Sequence, residues 1–257
     1  MSICIRCGSQ TTDSYCPHCG QKQNIPRLSW KTLVHDFASR IYGIDGAFPQ
    51  TVVGLFKRPA HVIQEYIDGV RNKYVGPVGY YFLVFAIYIL LFKILGIKVS
   101  DYLNPDTFNG VVQELVDQKY SEENIKRQQK VMETVASLIQ IMPILLFPFW
   151  GWFAKLFFRS QKHHLLEHIV FMFYLHAQSL IFSMAGLLLH KITGIFFLSY
   201  DQMISIIYIS ISASFFYTGK LSVKGILKAL LTYFLAFICY ILGISVIGSV
   251  YFSLTLG

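Results

Sequence analysis

Apolar and polar positions alternate on two different length scales along this chain, and the scale changes near Val75. Beyond that point, apolar windows long enough to cross a bilayer recur near residues 77–97, 134–158, 165–190, 193–217 and 224–252. "FLSYDQMIS" interrupts the fourth, and Pro143 and Pro148 are expected to bend the second. Before Val75 the runs are short and amphipathic. In "LSWKTLVHDFASRIY", Ser29 reads as an N-cap, and Trp30, Val34, Phe37 and Ile41 recur at helical spacing. A second short helix fits "FPQTVVGLFKR", with Pro49 near its first turn. A third, "PAHVIQEYIDG", opens at Pro59 and closes at Gly69. The pattern predicts an all-α integral membrane protein. About five transmembrane helices (76–257) follow amphipathic cytoplasmic or interfacial helices (25–75) and a small N-terminal unit (1–24).

Composition fits this division. The 257 residues are 54% hydrophobic and only 14% charged, against about 25% charged in a soluble domain. The net charge of +8 therefore needs no nucleic acid to explain it, because membrane proteins collect Lys and Arg on the cytoplasmic side. Residues 1–75 hold nine Lys or Arg against five acids, and the short loops near 155–162 and 220–228 are basic as well. The 98–133 segment, with five basic and seven acidic residues, falls on the opposite side. This asymmetry predicts a cytoplasmic N-terminus and an exterior C-terminus. No cleavable signal peptide is expected, since the first long apolar run starts near Val75.

The first 19 residues hold four of the five cysteines. Cys4-Ile-Arg-Cys7-Gly8 and Cys16-Pro-His-Cys19-Gly20 are two knuckles, each closed by a glycine that permits a tight turn. Four thiolates complete a tetrahedral zinc site with no open position. One structural zinc per chain is therefore expected, supplying the folding energy of a ribbon too small for a large core. Cys239 stands alone in an apolar helix and reads as packing.

The polar residues inside the spans are few. Beyond Glu133 the acids are Glu167 and Asp201, and five of the eight histidines lie between 163 and 190. At 100° per residue, His164, His168, Ser179, Ser183 and His176 share one half of the third span, flanked by Glu167. Ionisable residues at membrane depth mark functional candidates. Counted from the expected span ends, His176 and Asp201 lie about 16 and 18 Å from the cytoplasmic edge, which predicts a pair. His164, His168 and Glu167 could instead bind a second metal, or His168, His176 and Asp201 could carry protons. The remaining reading is a wet helix start followed by one packed histidine. Arg58, Arg71 and Lys73 are candidates for contacting lipid headgroups or a carboxylate, with Arg71–Glu167 the favoured link.

"FKRPAHVIQEYIDGVRNKYVGPVGYYFL", with the double knuckle before it and "EHIVFMFYLHAQSLIF" after it, resembles a Bacteroidota-type family of uncharacterised membrane proteins. The shared positions are Arg58, Pro59, Tyr66, Gly69, Arg71, Tyr74, Pro77, Glu167, His168 and His176. The resemblance implies a bacterial inner-membrane location and names relatives, with no assigned chemistry. Five spans with a cytoplasmic N-terminus also look similar, at the level of fold, to Yip1-type membrane proteins. No catalytic triad or phosphate loop stands out. The expected role is a non-enzymatic scaffold, assembly or regulatory factor, gripping the lipid bilayer and docking a cytoplasmic protein through the ribbon, with homo-oligomers possible. The alternatives are a small oligomeric transporter or channel built on the polar stripe, and an intramembrane lipid-modifying enzyme.

Overall fold

The computed structural model describes residues 2–12, 14–22, 29–30, 46–97, 142–158, 163–194 and 198–256. The expected helix over 30–41 (beyond Trp30), the 98–133 segment and residues 134–141 of the second expected span lie outside them.

Among the described residues the chain is almost entirely helical. Two short strands, β1 (Ser2–Ile3) and β2 (Gln10–Thr11), pair antiparallel around the first knuckle. A single bridge, Tyr15 to Lys22, closes the second. Helices α1 (Ala47–Lys57) and α2 (Pro59–Ile67) then form a hairpin. Proline at the first position of α2 ends α1, because its ring cannot continue a helix. Gly54 lets the two helices touch: a Cβ there would sit 2.9 Å from Val62 Cγ2. The linker over 68–76 leads into α3 (Pro77–Leu95), which stops at Gly96 in the left-handed conformation (φ 64°).

After a single 3₁₀ turn (Met142–Leu145) come α4 (Leu146–Phe157), α5 (Leu165–Thr193), α6 (Leu198–Thr218) and α7 (Val223–Leu256). Pro143 lies in that turn and Pro148 in the first turn of α4, where the missing amide costs little. "FLSYDQMIS" does not break α6, which is helical from Leu198 onward. Among the described residues, three helices are long and apolar enough to cross a membrane: α3, α5 and α7 over Val223–Gly243. Gln202–Thr218 of α6 is a shorter apolar stretch.

α5 is the axis of the molecule. Nine consecutive residues, Glu167 to Leu175, are buried, which requires neighbours on every side. Tyr80 of α3, Phe147 and Trp150 of α4, Phe216 of α6 and Tyr66 of α2 all reach it. α7 packs outside, with Tyr233 on Trp150 and Gly225 against Ser214 of α6. In lipid such association rests on close packing and hydrogen bonds, since lipid tails are as apolar as the core.

Candidate functional site

Each cysteine knuckle folds the same way. The amide of Gly8 donates to the Cys4 carbonyl at 2.9 Å, and that of Gly20 to the Cys16 carbonyl at 2.8 Å. Both glycines have positive φ, 73° and 68°, a conformation that L side chains resist. The result brings all four sulfurs within 4.8 Å of one another. Cys4 Sγ lies 3.6 Å from Cys19 Sγ, and Cys7 Sγ 3.6 Å from Cys16 Sγ. That is far beyond a disulfide of about 2.05 Å. It is close to the edge of about 3.8 Å for a tetrahedron with metal–sulfur bonds of about 2.3 Å. The local field favours thiolate on the first knuckle. Burial acts against the Cys4 anion, but the amides of Cys7 and Arg6 outweigh it and bring the thiol down to about 6. The Ser9 hydroxyl and amide lower Cys7. The four cysteines can therefore hold one metal ion. His18 is exposed and outside this set.

The second knuckle touches the rest of the molecule. Gln21, buried and one residue past Gly20, donates from Nε2 to the Gly69 carbonyl at 2.9 Å. Gly69 opens the linker before α3, and that linker is tied from three other sides. The Val75 amide donates to Thr51 Oγ1 of α1 at 2.9 Å. Tyr174 of α5 donates to the Val75 carbonyl at 2.7 Å. Lys73 Nζ reaches both Glu65 oxygens at 2.9 Å, and the Tyr74 hydroxyl donates to the same carboxylate. Burial would raise the Glu65 carboxyl, but Tyr74 and Lys73 overcome this and hold it below its ordinary range. Lys73 is correspondingly raised, with Glu65 outweighing the burial that would lower it.

These contacts change the expected headgroup set. Lys73 is engaged inside the protein, and Arg71 is buried with its guanidinium 5.8 Å from the Tyr66 ring centre. Arg58 is exposed, as expected of a group that meets solvent or lipid. The neighbours shown for the favoured Arg71–Glu167 link are local ones, the Tyr66 ring for Arg71 and the His164 amide for Glu167. Tyr66 packs on Tyr174, which lies seven residues, about 10 Å, beyond Glu167 on α5.

The third-span cluster separates into different environments. Glu167 closes the start of its own helix, accepting the His164 amide at 3.0 Å and facing His163 Nδ1 at 3.1 Å. This is the reciprocal half of a capping box, which sequence reading attributes to a membrane-edge carboxylate in search of a partner. His164 is exposed, whereas His168 is buried with Nδ1 2.7 Å from the Tyr217 hydroxyl. His164 and His168 therefore do not share a metal pocket; among the described residues the cysteines form the one group close enough to do so. His176 sits between aromatic rings, 6.0 Å from Tyr81 and 5.4 Å from Phe147. Ser179 returns its hydroxyl to the Leu175 carbonyl at 3.0 Å, and Ser183 is buried. Sequence reading missed the partners Tyr217, Gln178 and Tyr80. Gln178 accepts from Tyr80 at 2.7 Å. A glutamine two residues from His176 in an apolar span was the available signal.

The expected His176–Asp201 pair does not fit the helix register. α5 and α6 run antiparallel, with Phe171 5.0 Å from Phe216 and Phe182 5.3 Å from Tyr208. Continuing that register brings residue 201 level with about residue 190, roughly 20 Å from His176. The side chain of Asp201 lies outside the described residues. The depth count failed because it began at the first residue of α5. That helix is 29 residues long, about 44 Å, so its ends must project beyond a hydrocarbon core of about 30 Å.

One segment is shared with a known family. Residues 45–89 match the family described as "Protein of unknown function (DUF3667)". The match covers α1, α2, the linker with its Glu65–Lys73–Tyr74 cluster, and most of α3. No curated protein and no solved structure matches the chain.

Proposed function

We propose that this chain is a five-span inner-membrane protein that works as a non-enzymatic scaffold, assembly or regulatory factor. Its N-terminus lies in the cytoplasm, and its four cysteines hold one structural zinc. The observation that carries the reading is the state of the α5 polar groups. Glu167 is used by its own helix start, His168 by Tyr217 and Gln178 by Tyr80, while Trp150, Phe147, Phe171 and Phe173 fill the space around them. Polar side chains paired within an aromatic bundle specify packing, whereas a conduction path needs groups open to water. The ribbon, presented beside the linker, is the proposed dock for a cytoplasmic protein, and self-association of the bundle is a further element of the reading.

Reconstitution tests it. Full-length protein in liposomes should give proton and metal-ion flux no greater than empty vesicles, with one zinc per chain by elemental analysis. Flux above the empty control that disappears in His168→Ala would overturn the scaffold reading in favour of a transporter. A second bound metal would return the α5 histidines to consideration as ligands.

A further inference from the structure

The α1–α2 hairpin belongs to the segment expected to be cytoplasmic or interfacial, but its position along the bundle is deeper. The candidate span α3 runs parallel to α5: Tyr80 meets Gln178, Phe92 meets Leu187, and Lys191 donates to the Leu95 carbonyl. The middle of α3, near Ala86, is therefore level with about Phe182 of α5. Phe182 is the residue that packs against Phe56, at the end of α1, with ring centres 5.5 Å apart. An independent contact agrees. Tyr208, midway along α6, donates to the Leu55 carbonyl at 2.9 Å. At the other end of the hairpin, Tyr66 and Val75 meet Tyr174, close to the level where α3 begins. The hairpin thus rises from the start of α3 to about its midpoint, a climb of about 13 Å.

Its outward surface has two parts. Val53 and Phe56 are 48% and 46% exposed, while Leu55, Val62 and Ile63 face inward. At the tip, Lys57 and Arg58 are both exposed. Apolar side chains at that level suit acyl chains. Two cations there do not, because each costs about 3 kcal/mol or more against bare hydrocarbon. An anion drawn down beside them offsets that cost, and a guanidinium fork matches phosphate geometry. Lipid supplies such an anion at the membrane by thinning locally around the charge.

We propose that the α1–α2 hairpin re-enters the cytoplasmic leaflet and that Lys57 and Arg58 at its tip bind the phosphate of an anionic phospholipid. The proposal rests on the membrane reading above. It makes the segment shared with the family a lipid-binding module, and it assigns Lys57 and Arg58 a role distinct from Lys73 and Arg71, which are used within the protein.

The test uses the full chain in nanodiscs of phosphatidylcholine and phosphatidylglycerol. A photoreactive benzoylphenylalanine replaces Val53 in one sample and Phe234, an exposed residue of α7, in another. Both are expected to crosslink to acyl chains. Labelling at Phe234 without labelling at Val53 overturns re-entry alone, whereas labelling at neither overturns the membrane reading and the proposal with it. In a second arm, phosphatidylglycerol retention is read by native mass spectrometry. The double variant Lys57→Gln/Arg58→Gln should bind it about tenfold more weakly or worse. Lys220→Gln/Lys224→Gln, exposed on the α6–α7 turn and at the start of α7, should leave it unchanged. Equal loss in both pairs, or loss in neither, overturns the site.

Discussion

The N-terminal ribbon and the α5-centred bundle reach order by opposite routes. The ribbon has about 20 residues and leaves Ile3, Ile5 and Tyr15 exposed, so burial alone cannot hold it and its four sulfurs converge on one point instead. The bundle converges on no point. It surrounds part of one helix with aromatic rings and pairs polar groups across helices, His168 with Tyr217 and Tyr80 with Gln178. The contrast teaches where chemistry should be sought. In the ribbon the polar groups are the structure, and in the bundle they are fitted into a structure that apolar packing decides.

The largest expected effect would divide the two regions. Chelation, or Cys16→Ser, should abolish amide-exchange protection over residues 2–22, since a structural zinc contributes about 10 kcal/mol or more to such a unit. Protection in α5 should be unchanged, and an equal loss there would show that the regions fold as one.

Trp150→Ala attacks the bundle from the other side. It removes the buried ring stacked on Phe171 at 6.1 Å and should cost about 3–5 kcal/mol. Unfolding in mixed micelles would measure this, with bound metal per chain unchanged.

A smaller loss, about 1–3 kcal/mol, is expected for Tyr217→Phe, which leaves the His168 ring without its hydroxyl partner. Adding His168→Phe should recover part of that loss if the pair is structural. A cycle showing no coupling between the two positions would break the claim that the His168–Tyr217 pair holds the bundle.

The smallest effect concerns the linker before α3, where Gln21 of the ribbon reaches Gly69. Glu65 is held below its ordinary range, chiefly against burial by Tyr74 and Lys73, so its contribution is present above that range and is lost as pH falls through the lowered value. Amide protection over 69–75, corrected for intrinsic exchange, should therefore hold at neutral pH and fall in acid. In Glu65→Gln the acid step should disappear.

Local rules made much of this legible in advance. Gly8 and Gly20 mark the knuckles because only a glycine takes their positive φ without strain. Pro59 and Pro77 each open a helix, and Gly96 closes one, so those boundaries were set by single residues. The cysteine cluster was readable because its spacing is short and its ligands lie in two tight turns. The partners of the α5 polar stripe were not legible for a related reason. A helical wheel records which side chains share a face, but it says nothing of what that face meets, and α5 is enclosed on every side over Glu167–Leu175.

The sequence by itself therefore determined the apolar helices, the hairpin joined at Pro59 and the four clustered thiols, because each depends on residues within a few turns of one another. Only the tertiary structure decided which helix lies at the centre, that His168 meets Tyr217 across 49 positions, that Gln21 reaches Gly69, and how high the hairpin climbs along α5. Those facts depend on axial register between distant helices. Register is set by the summed fit of many interlocking side chains, a quantity that no single segment contains.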